Sequence, residues 1–109
     1  IELHIHDKYQ EDSMGRDFVL NILRQFKKYN SEEYGIESLA LFGSFARNEQ
    51  REDSDVDIMV SLKKPSLYKF DEMTDTLRSI LKRDVDLISS RVALRQDFYS
   101  KISNDLIYV

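Results

Sequence analysis

Residues 55–62, Asp-Val-Asp-Ile-Met-Val-Ser-Leu, alternate with a period of two. Val56, Ile58, Val60 and Leu62 fall on one side, and Asp55, Asp57, Met59 and Ser61 on the other. Strand side chains point alternately to opposite faces, so this run needs a sheet with one face laid on an apolar core. The same spacing sets Asp55 and Asp57 side by side. At ~4 Å and an effective dielectric of ~20, two such charges repel by roughly 4 kcal/mol. A chain tolerates the pair when both carboxylates are well solvated, when one is protonated, or when a cation lies between them.

The rest of the chain supplies the cover this strand needs. From Ser13 to Tyr29, Met14, Phe18, Val19, Ile22, Leu23, Phe26 and Tyr29 recur at i, i+3/i+4, which predicts an amphipathic helix with Ser13 as its N-cap. Gly35 breaks the chain before a β-type run, Ile-Glu-Ser-Leu-Ala-Leu-Phe, at 36–42. After Pro65, Ser66 caps a second helix with a stripe of Leu67, Phe70, Met73, Leu77, Ile80 and Leu81. A third strand follows at 84–89, with Val85 and Leu87 facing the core and Asp86 the opposite side. A last helix is expected from about Val92 to Asn104, with Leu94, Phe98 and Ile102 on one face. The order α-β-β-α-β-α gives an α/β (α+β) fold: a small mixed sheet covered by helices.

A length of 109 residues supports one core, so residues 1–109 read as a single domain. The three Gly and one Pro leave no linker, and no repeat or low-complexity segment is visible. A formal charge of −4 argues against broad nucleic-acid binding, which requires a concentrated basic surface. No apolar run approaches the ~20 residues of a membrane span. No secretory signal is visible in Ile-Glu-Leu-His-Ile-His-Asp-Lys-Tyr-Gln, and the missing initiator Met leaves open that earlier residues exist. The absence of Cys excludes disulfides and thiolate metal sites and suits a cytoplasmic protein. His4 and His6 stand at i, i+2, but two His are too few for a specific metal site.

Gly43-Ser44 ends the first strand, with ten residues between Ser44 and Asp55. A glycine there allows close backbone approach and unusual dihedrals. Ser44 then opens a turn or short helix whose N–H groups and hydroxyl can cradle a phosphate. If the third strand lies beside the second, Asp86 meets Asp55 and Asp57. Three carboxylates next to a phosphate cradle describe a site for two divalent cations on a nucleoside triphosphate, and hard oxygen donors suit Mg²⁺. Asp84 shares that face, but at the strand start it reads better as a surface or turn residue.

Gly43-Ser44, ten intervening residues and Asp55-Val56-Asp57 resemble the signature of the DNA polymerase beta-like nucleotidyltransferase superfamily. The chain is most similar to its minimal branch, the antitoxins of prokaryotic HEPN/minimal-nucleotidyltransferase toxin–antitoxin pairs. The similarity extends over the leading helix, Ser-Leu-Ala-Leu-Phe-Gly-Ser-Phe-Ala-Arg-Asn-Glu, the Val-Asp-Leu third strand and the terminal Asn-Asp-Leu-Ile-Tyr-Val. The resemblance implies a nucleotidyltransferase fold and transfer of AMP from ATP to a hydroxyl, with release of pyrophosphate. Carried over, Asp55 and Asp57 would bind both Mg²⁺ ions and Asp86 the catalytic one. Gly43 and Ser44 would hold the β/γ phosphates. Arg47 matches a position that often contacts the triphosphate, and its planar fork suits that task. The family usually has Gly after this Arg; here it is Asn48, which tolerates positive φ better than most residues.

The nucleotide site and its supporting core are expected to use every element of residues 1–109, with none of these residues left over to grip an acceptor. The acceptor is therefore expected to bring its own binding surface, or a hetero-oligomeric partner to supply one. In the resembling antitoxins it is a tyrosine of the cognate HEPN toxin, silenced by AMPylation. Two other readings stand beside this one: adenylylation of a small alcohol such as an antibiotic, and a non-catalytic antitoxin that masks its toxin.

Overall fold

The computed structural model describes residues 14–95 and 97–109. The first helix, α1 (Arg16–Tyr34), runs five residues beyond its expected end and stops where Gly35 turns left-handed at φ 68°. Ser13, the expected cap, lies outside the described residues, as do His4 and His6; Gly15 holds the cap position. The buried stripe is Val19, Leu20, Leu23, Phe26 and Tyr34. Phe18 and Tyr29, expected in it, are 39% and 74% exposed. At 3.6 residues per turn both lie about 80–100° round the helix from Val19, outside the arc a sheet can cover.

Four strands follow: β1 (Ile36–Phe42), β2 (Val56–Leu62), β3 (Val85–Ser89) and β4 (Ile107–Tyr108), in the sheet order β3-β2-β1-β4. β1 runs antiparallel to β2 and β4, while β2 and β3 are parallel, so the sheet is mixed as expected. The parallel pair is joined by α3 (Leu67–Leu81). Ser66 caps this helix, its hydroxyl accepting the Lys69 N–H at 3.2 Å. Met73, Leu77 and Leu81 are fully buried; Leu67 and Ile80, expected beside them, stay exposed on the flanks of that row.

Helices α1 and α3 cover one sheet face, where Val19, Leu23, Phe26, Met73, Leu77 and Leu81 pack on Leu39, Leu41, Val56, Ile58, Val60, Val85 and Leu87. A smaller cluster of Phe42, Met59, Ala93 and Ile102 forms on the other face, below α4 (Ser90–Arg95) and α5 (Tyr99–Ile102). These two short helices replace the single helix expected over 92–104. The break falls at Asp97, whose φ of 56° is tolerated better by Asp than by most residues. Leu94, expected on the packed face, is 64% exposed, and Ala93 is buried in its place. β4 was not anticipated, because two residues carry no readable period. Among the described residues no helix is long and apolar enough to cross a membrane.

Candidate functional site

The second sheet face is only partly covered, and its uncovered end holds the carboxylates. Asp57 pairs with Asp86 in the parallel ladder of β2 and β3, so the two side chains leave the same face from adjacent strands. Val85 and Leu87 are buried while Asp86 is exposed, the alternation the sequence predicts. Asp55 stands exposed two positions before Asp57, just outside β2. Asp84 is exposed, and its carbonyl accepts the Val56 N–H at 2.9 Å, which fits a structural role at the strand start.

Asp57 is half-buried, and its pKa is pushed up to about 6. Burial contributes most, followed by the charges of Asp86 and Asp55, with Arg47 opposing. The charges of Asp86 and Asp55 therefore both reach the Asp57 carboxylate, and Arg47 offsets them only in part. Among the described residues no His, Asp or Glu side chains already stand in a closed metal-holding group of three or more. The donor set itself is all hard oxygen, and its excess negative charge fits Mg²⁺, which takes one or two carboxylates and fills its other positions from water and phosphate.

On the neighbouring strand, Phe42 pairs with Asp57, which brings the next residue, Gly43, against the carboxylate. Gly43 has φ 76°, and a Cβ built on it would collide with the Asp57 side chain, 3.0 Å from its Cγ. Glycine is required here twice, for its dihedral and for its missing side chain. Gly43 opens the short helix α2 (Gly43–Ala46), held in the core by Phe45 and Ala46. Beyond it Asn48 adopts φ 60°, a left-handed conformation that asparagine tolerates better than most residues.

Arg47 is exposed, and its guanidinium donates to Glu49 Oε1 at 2.9 Å and to Asp105 Oδ2 at 2.6 Å, contacts that raise its pKa. The sequence reading missed both partners. Asp105 sits near the C-terminal β4, and no pattern in the chain signals its approach to residue 47. The structure thus brings Asp57, Asp86 and Gly43 together, places Asp55 next to them, and ties Arg47 to carboxylates at the edge.

The family model for the nucleotidyltransferase domain matches residues 23–109. The chain belongs to the nucleotidyltransferase domain family. A relative from Methanocaldococcus jannaschii, provisionally named protein adenylyltransferase MJ0128, is 44% identical over 93 residues, covering 84% of this chain and 94% of its own. A solved structure provisionally described as a minimal nucleotidyltransferase superposes with a TM-score of 0.61 at 30% identity, over 73% of this chain and 82% of that one. A chain in the complex of tri-AMPylated Shewanella oneidensis HEPN toxin with MNT antitoxin gives a TM-score of 0.52 at 25% identity, over 70% of this chain and 56% of that one. The expected fold class, family membership and enzyme class therefore hold: this is a nucleotidyltransferase.

Proposed function

We propose that the chain is a Mg²⁺-dependent protein adenylyltransferase that moves AMP from ATP to a tyrosine hydroxyl of a cognate HEPN toxin, and so acts in the cytoplasm as an antitoxin. The observation that carries this reading is the register of Asp57 beside Asp86 with the Gly43 backbone packed on the Asp57 carboxylate. The relative's name supports adenylyl transfer, and the tri-AMPylated HEPN toxin in the Shewanella complex supports a toxin as acceptor.

Asp55 and Asp57 would hold two Mg²⁺ ions, with Asp86 on the catalytic one. When bound, the metal supplies charge neutralisation for the triphosphate and a lowered pKa for the acceptor hydroxyl. The backbone at Gly43 and Ser44 orients the β and γ phosphates, and Arg47 exchanges its carboxylate partners for a phosphate. The tyrosine oxygen attacks the α-phosphorus, a new P–O bond forms, and the bond to pyrophosphate breaks. Asp86 takes the hydroxyl proton. Little covalent chemistry falls to the protein, so positioning and electrostatics supply most of the rate.

Incubation with ATP, Mg²⁺ and the cognate toxin is expected to add one or more adenylyl masses to a toxin tyrosine, read by intact-mass and peptide mass spectrometry. An unmodified toxin contradicts the proposal. Pyrophosphate release with an aminoglycoside and no protein acceptor would favour the small-alcohol reading instead. Protection of cells by Asp57→Asn would favour toxin masking.

A further inference from the structure

Outside the signature, one side chain contacts the segments that supply it. Arg83 lies between α3 and β3, three residues before Asp86. Its Nη1 donates to the carbonyl oxygens of Glu52 at 2.6 Å, Ser54 at 2.9 Å and Arg51 at 3.4 Å. Its guanidinium carbon also lies 5.3 Å from the ring centroid of Phe45. Phe45 is fully buried and directly follows Ser44. Ser54 directly precedes Asp55, and its own Oγ accepts the Arg51 N–H at 2.8 Å. One cation therefore joins the loop that delivers Asp55, the turn that carries Gly43 and Ser44, and the strand that carries Asp86.

Among the described residues no carboxylate lies within ion-pair distance of Arg83, so backbone carbonyls hold its charge. A planar guanidinium can hydrogen-bond in its plane while its face rests on an aromatic ring, which an ammonium cannot do. An exposed loop without such a tie samples many conformations, and ordering it on ligand binding carries an entropic cost.

We propose that Arg83 is a positioning residue for cation binding. It pre-orders residues 51–54 so that Asp55 is presented beside Asp57 and Asp86, and it touches neither nucleotide nor metal. This inference rests on Asp55 being a cation ligand. Loss of groups that orient metal ligands typically weakens metal affinity or activity 10–100-fold.

The test uses the full chain and two readouts independent of turnover: Mn²⁺ affinity by electron paramagnetic resonance, and amide hydrogen exchange of residues 51–55. Arg83→Met keeps the apolar stem and removes the donors; it is expected to weaken Mn²⁺ binding about tenfold and to speed exchange in that loop. Arg83→Lys keeps the charge without the fork and is expected to fall between the wild type and Arg83→Met. The inference is overturned if folded Arg83→Met binds Mn²⁺ like the wild type. Should that variant not fold, wild-type affinity in Arg83→Lys overturns it equally. A wild-type chain that binds no Mn²⁺ would instead remove the cation-site reading itself. Wild-type binding abolished by Asp57→Asn but untouched at Arg83 would sink the inference alone.

Discussion

Asp57→Asn is expected to abolish adenylyl transfer while making the metal-free protein more stable at neutral pH. The carboxylate is half-buried beside Asp86 and near Asp55, and its pKa rises from 3.8 to about 6. A raised carboxyl keeps its proton in the folded chain at pH values where the unfolded chain has lost it. Its stabilising effect is therefore present at low pH and is lost as pH rises from about 4 to about 6. The full displacement corresponds to at most ~3 kcal/mol, which partial exposure to solvent reduces to roughly 1–2 kcal/mol. Asn keeps the shape and removes the charge, so thermal melting at pH 7 should rise by several degrees. Activity should fall by more than the roughly 10–100-fold associated with outer-shell partners, because the proposed function makes Asp57 a direct metal ligand. Mg²⁺ should raise the melting temperature of the wild type and leave that of the variant nearly unchanged. A variant that melts lower than the wild type in EDTA, or that still transfers AMP, contradicts this assignment.

Gly43→Ala should be as damaging to activity, for a steric reason. At φ 76° an alanine costs about 1–2 kcal/mol in backbone strain alone. Its Cβ would also meet the Asp57 carboxylate, and relief requires either that side chain or the β1–α2 turn to move. Displacement of reacting groups by about 1 Å can cost on the order of 100-fold in rate. The expected variant is folded, melts several degrees lower, and transfers AMP at least about 100-fold more slowly. Near-normal turnover would show that the Gly43 backbone need not lie against Asp57 during the reaction.

Both predictions concern features that short-range pattern exposes well. The period-two alternation in β2 and β3 placed Asp57 and Asp86 off the core face, since Val56, Ile58, Val85 and Leu87 leave no other orientation. Their partnership across the ladder was only conditional until the strands were seen to be parallel and in register. A one-residue slip would have turned Asp86 into the core. Asn48 was also legible, because few residues other than glycine accept its dihedral.

Features that depend on distant contacts left no such trace. The break at Asp97 interrupts an apolar spacing that looks continuous, and β4 is too short to show a period. The Arg47–Asp105 pair spans 58 positions, and the ties of Arg83 to the Asp55 loop span 29–32. In sequence the resemblance marks Arg47 for the triphosphate, but nothing there signals its pairing with Asp105 or the ties of Arg83. Stripe residues such as Phe18, Tyr29 and Leu94 were misplaced for a related reason: apolar spacing marks a helix, but the neighbour's width decides how much of it is buried.

Calorimetric titration with a non-hydrolysable ATP analogue, with Mg²⁺ and again in EDTA, tests most directly whether the aspartates and the Gly43-Ser44 turn form one nucleotide site. Saturable binding that requires Mg²⁺ in the wild type and vanishes in Asp57→Asn is the expected result. Equal affinity with and without the metal, or an Asp57→Asn variant that binds like the wild type, would contradict it.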